Sequence, residues 1–377
     1  MKKTLLAMAL LGAFSAAQAQ SNVTLYGVID AGVTYVSKQA FKDTNGNIQG
    51  GSNWLAQSGV AQGSRWGLRG SEDLGGGLKA IFNLENGFDV FSGQSQQGGR
   101  MFGRQSYVGL SSNRLGTVTL GRQYDSVVDF LQPVSSVPSF GLYGAHFGDV
   151  DNIDNSFRTN NSVKYTSVNY NGLTFGGMFS FGGQAGQFAT NRAFSVGTGY
   201  ANGPLTLGAA YLNVNNPSAA VYDNGGTLDK TVFGATPLQQ ADQLRVFGVG
   251  GSYAFGPATI GLLYTNTKLK NSSFVAGGSD IKVDNYEVNA KYMLTPALQI
   301  AAMYTYTNAK FDRLGSKPKY HQVNLGVDYW LSKRTDAYVM GVYQKAAGDA
   351  KNAEIYGLGA SSTDKQVALR VGLRHKF

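Results

Sequence analysis

Few residues of this chain could serve as the base that activates a catalytic nucleophile. Histidine occurs three times, at His146, His321 and His375, and cysteine does not occur. A hydrolase needs a nucleophile activated by a neighbouring base, and the sequence contains no G-x-S-x-G motif. We therefore expect a protein that is not an enzyme and that uses no cofactor.

One acidic segment resembles a metal site. The sequence DVDNID at 149–154 places Asp149, Asp151 and Asp154 at spacings similar to those of a calcium-binding loop. Ile153 and the position of Asp154 break the pattern of the helix-loop-helix calcium site. A solvated acidic loop is the favoured interpretation, and we expect no metal.

Arginines recur on one face of alternating segments. In QVALRVGLRHKF (366–377), Arg370 and Arg374 lie opposite a face of valine and leucine, and Arg65 and Arg69 lie opposite Trp66 and Leu68 in the same way. An arginine that faces lipid at the bilayer midplane costs about 2–4 kcal/mol. The basic face must therefore meet water, and the opposite face can meet lipid.

The alternation continues along the chain, for example in 204–212, 298–307 and 320–331, and period two is typical of half-buried strands. The connections between such segments alternate between short and long. Seven tight turns are predicted, at 71–77, 112–116, 170–172, 201–204, 255–257, 294–296 and 331–335. Eight longer stretches rich in glycine, asparagine and serine lie near 37–62, 90–101, 124–160, 183–191, 215–243, 271–280, 312–319 and 347–363. These fifteen connections join sixteen strands.

The first residues have the parts of a secretory signal peptide, with Lys2 and Lys3, an apolar run and Ala17-Gln18-Ala19. We expect residues 1–19 to be the signal peptide and 20–377 to be one domain. No later apolar run approaches the roughly 20 residues of a membrane helix, so any membrane-spanning structure must consist of strands.

Composition fits a protein with many strands and turns. The chain has 51 glycines, 21 tyrosines, 21 phenylalanines and 8 prolines. The formal net charge of +9 becomes +7 without Lys2 and Lys3. The basic residues are scattered and form no arm or stripe, so we expect no nucleic-acid partner.

The arrangement of turns separates a barrel from a soluble sandwich. A sandwich mixes connection lengths at both ends, whereas here all tight turns fall at one end and all long loops at the other. Outer-membrane barrels have this asymmetry, with an even strand number, aromatic girdles and a polar interior. The predicted fold class is all-β, a transmembrane antiparallel β-barrel in which the last strand pairs with VTLYGVIDAGVTY (23–35).

Five segments carry a family resemblance: VTLYGVIDAGV (23–33), RWGLRGSEDLGGGLKAIFNLE (65–85), RQSYVGL (104–110), TLGRQYD (119–125) and the terminal Phe377. In this order they resemble the general diffusion porins of Gram-negative bacteria, particularly those of the beta-proteobacteria. The resemblance implies a sixteen-stranded homotrimeric barrel in the outer membrane, surrounded by lipid and lipopolysaccharide, with a long third loop folded into the lumen. It also implies that the barrel-assembly machinery reads Phe377 as a sorting signal.

The same resemblance implies a constriction where wall arginines face acidic residues of the third loop. By motif, Arg65, Arg104 and Arg158 are the wall arginines and Glu85 is a lumen carboxylate. Inward placement of Arg104 would leave Gln105 and Tyr107 facing outward. The third loop, about 124–157, begins with Asp125 and Asp129, but Ser135 and Ser139 stand where enterobacterial relatives carry acids. Further lumen-facing basic residues are expected at the positions Arg69, Lys79, Lys164, Arg370 and Arg374.

The expected function is passive diffusion of small hydrophilic solutes and ions. Because few carboxylates oppose the arginines, the potential at the neck should be positive and should concentrate anions. The nearest alternative is a substrate-specific porin for a sugar or phosphate. A closed structural or adhesive barrel is disfavoured by the small side chains on the inner faces and by a strand number that leaves an aqueous channel.

Overall fold

The computed structural model describes residues 22–217, 241–273 and 276–377. The predicted signal peptide, most of the stretch 215–243 and two residues of the stretch 271–280 lie outside the described residues. In the described part of the chain, no helix is long and apolar enough to cross a membrane.

Strands make up most of the described chain. They are β1 (Asn22–Lys42), β2 (Ile48–Ser58), β3 (Arg65–Gly75), β4 (Leu78–Gly87), β5 (Gln105–Ser112), β6 (Gly116–Gln123), β7 (Thr159–Thr166), β8 (Leu173–Ser180), β9 (Ala193–Asn202), β10 (Leu205–Asn215), β11 (Gln243–Phe255), β12 (Ala258–Ser272), β13 (Ser279–Thr295), β14 (Leu298–Phe311), β15 (Pro318–Trp330), β16 (Thr335–Gly348) and β17 (Lys365–Lys376).

Short helical segments occur in the loops. They are α1 (Gln96–Gly99), α2 (Ser126–Phe130) and α3 (Val137–Phe140), with 3-10 turns at Gln132–Val134, Gly141–Gly144 and Phe147–Asp149.

The described strands close into an antiparallel barrel with sixteen wall positions. From β3 onward each strand pairs with the next along the chain. β17 pairs with β1, from Val28 opposite Lys376 to Val36 opposite Ala368. β2 and β3 share one wall position, because β2 pairs with the second half of β1 and β3 with the first half. The sixteen-stranded barrel predicted from alternation is confirmed.

The prediction of a long loop over 37–62 is wrong, because most of this stretch belongs to strands. β1 continues to Lys42 and β2 begins at Ile48, so the connection between them is only 43–47. Cross-strand contacts such as Tyr35 with Trp54, whose ring centroids are 5.2 Å apart, stabilise this extension. Residues 59–64 then leave the wall and fold inward. The high glycine and asparagine content suggested a loop, but cross-strand pairing with β1 decides the structure.

The third loop, residues 124–158, packs inside the barrel. Its apolar side chains, including Leu131 and Phe157, are buried together with inward side chains of β9 to β15. Glycines on the inner wall make room for it: a Cβ on Gly208 would lie 2.0 Å from the carbonyl oxygen of Phe130, and one on Gly248 would lie 2.4 Å from Leu131. The predicted folding of this loop into the lumen is confirmed.

Candidate pore constriction

Glu85, on the inner face near the end of β4, lies at the centre of a cluster of basic and phenolic side chains. Its Oε1 accepts a hydrogen bond from Arg104 Nε at 2.7 Å and lies 3.9 Å from Arg65 Nη1. Its other oxygen, Oε2, accepts a hydrogen bond from the Tyr26 hydroxyl at 2.9 Å. The carboxylate is only 3% exposed. One carboxylate therefore orients two of the predicted wall arginines.

Tyr124, at the start of the third loop, joins Arg158 to this cluster. Arg104 Nη2 donates to the Tyr124 hydroxyl at 3.1 Å, and the Arg158 guanidinium lies 5.4 Å from the centre of the Tyr124 ring. Burial alone would raise the pKa of the Tyr124 phenol, but Arg104 and Arg158 lower it. Three arginines and Glu85, all predicted from motifs, therefore lie together. Tyr124 lies in the motif TLGRQYD (119–125), but the family resemblance predicts no role for it at the constriction.

The expectation that Arg104 would turn Gln105 and Tyr107 outward is wrong. Arg104 precedes β5 and is outside the alternation of that strand, and its backbone N–H donates to the Glu85 carbonyl at 3.1 Å. Gln105 pairs directly with Glu85, so Gln105 and Tyr107 share the inner face with it. Alternation along the motif could not reveal this, because it assumes that the strand already includes Arg104.

A cavity of about 660 Å³ opens beside the arginine cluster. Among the described residues, the basic side chains on its lining are Arg65, Arg104, Arg158, Arg374 and Lys376, and the carboxylates are Asp154 and Asp328. Asp328 is already paired, since its Oδ2 lies 3.0 Å from Arg374 Nη2. The Nε–H of Arg158 has no hydrogen-bond partner in the described part of the chain. The positive potential at this cavity is therefore only partly compensated.

Comparisons with known proteins agree with this architecture. The family model described as Gram-negative porin matches residues 6–349. The chain belongs to the Gram-negative porins. An outer membrane porin protein of Bordetella pertussis is 34% identical, and outer membrane porin protein 32 of Delftia acidovorans is 33% identical, each over the full length of both chains. The protein is thus an outer-membrane porin that crosses the membrane with strands.

Solved structures show the same barrel. The anion-selective porin from Comamonas acidovorans superimposes with a TM-score of 0.72 at 29% identity, over 95% of this porin and 100% of that chain. OmpT of Vibrio cholerae, in its trimer form, gives a TM-score of 0.67 at 18% identity over 95% and 99% of the two chains. The second likeness supports the fold alone.

The two acids at the start of the third loop lie away from the lining of the porin cavity. Asp125 is fully buried at the N-terminus of α2, where it accepts hydrogen bonds from Val127 N at 2.7 Å and Asn152 Nδ2 at 2.7 Å. Burial raises the pKa of Asp125 to about 6. Asp129 forms an ion pair with Lys164, whose Nζ also donates to the Tyr124 carbonyl at 3.1 Å. Both carboxylates therefore fix the loop to itself and to the wall.

The other predicted lumen-facing basic residues have different surroundings. Arg69 is exposed, with its guanidinium 5.1 Å from the centre of the Tyr26 ring. Lys79 has the same strand phase as Glu85 and lies exposed near a tight turn. Arg370 is fully buried, 3.7 Å from Asp30. Of these residues, only Arg374 lines the cavity.

A histidine in the third loop attaches the loop to the barrel wall. His146 Nδ1 lies 2.6 Å from Asp151 Oδ2, and His146 Nε2 lies 3.2 Å from Glu287 Oε2 on β13. Burial opposes the charged imidazole, yet the two carboxylates raise the pKa of His146 to about 10. The Ser136 hydroxyl donates to the same Glu287 oxygen at 2.9 Å. No local sequence pattern indicates the contact of His146 with Glu287, since the two residues are 141 positions apart.

Residues 59–64 form an inward bracket between β2 and β3 that contacts the middle of the third loop. Asp30 Oδ2 accepts from the backbone N–H groups of Ala61 at 2.6 Å and Gln62 at 3.0 Å. In turn, the Val60 carbonyl accepts from Leu142 N at 2.8 Å. Asp30 therefore positions the bracket, and the bracket positions the loop beside the cavity.

In the acidic segment 149–154, the carboxylates of Asp149 and Asp151 are engaged by other groups of the same loop. Asp149 accepts from Asp154 N at 2.9 Å and from Ser156 N at 3.2 Å, while Asp151 contacts His146. Within the described ranges, no group of three or more histidine, cysteine or acidic side chains could hold a metal ion.

Proposed function

We propose that this porin forms a water-filled channel for passive diffusion of small hydrophilic solutes, with a preference for anions. The observation that carries the proposal is the cavity lining, which has five basic side chains and two carboxylates. Even when Glu85, which pairs with Arg104, and Asp336, which pairs with Arg374, are counted, the basic groups outnumber the acids. Such a lining concentrates anions by electrostatics and discriminates further by size. The similarity to the anion-selective porin from Comamonas acidovorans supports the same preference.

The reversal potential in planar bilayers under a salt gradient tests the proposal. The wild type should give an anion-selective value, and a cation-selective value would refute the proposal. Replacing Arg65 or Arg158 with serine removes one charge beside the cavity. A unit charge about 7 Å from the ion in water contributes about 0.6 kcal/mol, so each variant should lose about threefold in anion permeability.

Arg114→Ser is the matched control, because it removes the same charge from an exposed tight turn at residues 113–115. It should leave the reversal potential unchanged. If Arg65→Ser and Arg158→Ser behaved like this control, the proposed roles of these arginines would be wrong.

We also propose the homotrimer, the surrounding lipopolysaccharide and the reading of Phe377 by the barrel-assembly machinery that the family resemblance implies. The backbone N–H and C=O of Phe377 each pair with Gly27 at 3.1 Å, so the terminal residue completes the pairing of β17 with β1. Native mass spectrometry of the detergent-purified protein tests the trimer. A monomeric mass would exclude it.

A further inference from the structure

The cavity beside the constriction has two chemically different sides. One side carries the arginines of the constriction, such as Arg65 and Arg104. The other side is formed by the tip of the third loop, residues 137–142, together with Trp330 on β15. The sequence of the tip, VPSFGL, contains no charged residue. We call the second surface the apolar side of the cavity, and it consists of Val137, Pro138, Leu142 and Trp330.

The tip of the third loop is fixed by two contacts. On β15, Gly326 leaves room for it, since a Cβ there would lie 2.9 Å from the Phe140 ring. From the inward bracket, the Val60 carbonyl accepts a hydrogen bond from Leu142 N at 2.8 Å. Pro138 remains exposed and Leu142 half-buried. Their apolar atoms are therefore available to a solute in the cavity.

The same bracket also contacts the basic side of the cavity. A Cβ on Gly63 would lie 2.8 Å from Arg104 Nη1. Val60, which holds the tip, is three residues before Gly63, so at most about 11 Å separates their Cα atoms. One small solute can therefore contact the arginines and the apolar side together.

Trp330 extends the apolar side along β15. On the same face of this strand, Asp328 Oδ2 lies 3.0 Å from Arg374 Nη2. On β16, Asp336 pairs with Trp330 in the sheet, and its Oδ2 lies 3.0 Å from Arg374 Nε. The carboxylates next to Trp330 are therefore paired with Arg374, and the indole adds apolar surface to this part of the wall.

We propose that the cavity binds monocarboxylates with an apolar body, such as short-chain aliphatic acids, in preference to hydroxylated carboxylates of the same charge. The carboxylate accepts charge-assisted hydrogen bonds from the arginines, and the hydrocarbon body contacts the apolar side. Hydroxyl groups placed against the apolar side lose water without gaining a hydrogen-bond partner, which is unfavourable. This selectivity rests on the anion preference proposed above, since the arginines must first attract the carboxylate.

Hexanoate and gluconate test this selectivity, because both are monovalent six-carbon carboxylates and gluconate carries hydroxyl groups along its chain. Each anion is added at neutral pH to the full-length porin in planar bilayers, and the single-channel chloride current is recorded. The concentration that halves the current should be about tenfold lower for hexanoate, which corresponds to contact of about two CH₂ groups with the apolar side. Equal half-blocking concentrations would overturn the proposal.

The double variant Pro138→Ser, Trp330→Gln removes apolar surface without changing the charge. Its half-blocking concentration for hexanoate should rise at least about threefold. The double variant Pro133→Ser, Trp54→Gln is the matched control, because it changes an exposed proline of the same loop and an exposed tryptophan of β2, both outside the cavity lining. The control should keep the wild-type value, and an equal rise in the control would overturn the site. Thermal unfolding near the wild-type midpoint confirms that both variants fold.

Arg65→Ser separates the two sides of the cavity. It should raise the half-blocking concentrations of hexanoate and gluconate by a similar factor, because it removes charge and leaves the apolar side intact. The reversal potential in a potassium chloride gradient, measured on the same channels, reports the anion preference itself. An anion-selective value together with equal block by hexanoate and gluconate would overturn only the preference for an apolar body, whereas a cation-selective value would overturn both proposals.

Discussion

Arg370 has no exposed surface, although it lies on the inner face of a strand that encloses the lumen. Its Nε donates to the Tyr338 hydroxyl at 2.9 Å, its Nη1 donates to Thr34 at 3.1 Å, and Asp30 lies 3.7 Å away. Tyr338 also donates to Asp30 Oδ1 at 2.5 Å. Arg370 therefore links β17 to β16 and β1 through these contacts. Arg374, further along the same inner face, lines the cavity.

Asp30→Asn should destabilise the porin strongly. The change leaves Arg370 as a buried charge without a counterion, and losing one member of a buried pair costs about 3–5 kcal/mol. Thermal unfolding of the purified protein measures the loss. The double variant Asp30→Asn, Arg370→Met should recover part of it, because no lone charge remains. If the loss of unfolding free energy in the double variant equalled the sum of the losses in the two single variants, Asp30 and Arg370 would not be coupled.

At the scale of elements, the position of the third loop depends on the absence of side chains on the facing wall. Gly208 lies so close to Phe130 that a Cβ would be 2.0 Å from its carbonyl oxygen. Gly197 and Gly199 lie under the ring of the same phenylalanine. The loop is therefore held by close packing on one side of the lumen and by the His146 contacts to Glu287.

Gly208→Val should push the third loop away from the wall and towards the pore axis. Single-channel conductance should fall, since the free cross-section decreases. Gly341→Val is the matched control, because Gly341 faces outward on β16 and a Cβ there would meet its nearest neighbour at 3.4 Å. Unchanged conductance in Gly208→Val would mean that the wall glycines do not set the loop position.

The eighth loop, residues 349–364, also packs inward, with Ala353 and Ile355 fully buried. Between them, Glu354 has no ion pair within the described residues, and burial raises its pKa from 4.5 to about 7. The folded state thus holds a proton between about pH 4.5 and 7 that the unfolded state releases. The stability from this group is complete at low pH and is lost as the pH rises through 7.

The midpoint temperature of thermal unfolding of the wild type should therefore fall, relative to that of the variant Glu354→Gln, as the pH rises from 5 to 8. The difference in unfolding free energy across this range should be at most about 3 kcal/mol. Taking the difference between the two proteins removes the contribution of other titrating groups such as Asp125. A difference independent of pH would contradict the raised pKa of Glu354.

At the scale of the whole molecule, alternation and turn spacing predicted the strand number and the inward phase of Arg65 and Arg374. These features are local, because each residue's face follows from its neighbours in the strand. The bracket 59–64, the burial of Arg370 and the contact of His146 with Glu287 depend on barrel closure, which joins residues far apart in sequence. The place of Asp125 at the start of the third loop predicted that it would lie at the constriction. Its carboxylate instead caps the N-terminus of α2, where it accepts a hydrogen bond from Val127 N.

The anion preference proposed for the whole channel should depend on ionic strength. The arginines beside the cavity act through water, and their field decays over about 10 Å at 0.1 M salt but only about 3 Å at 1 M salt. The anion-to-cation permeability ratio should therefore fall towards that of free diffusion as salt rises at a constant gradient ratio. The double variant Arg65→Ser, Arg158→Ser should show a weaker salt dependence, because less fixed charge remains to be screened. A ratio that stays constant from about 0.05 M to about 1 M would mean that selection rests on size or direct binding, and the fixed-charge mechanism would be excluded.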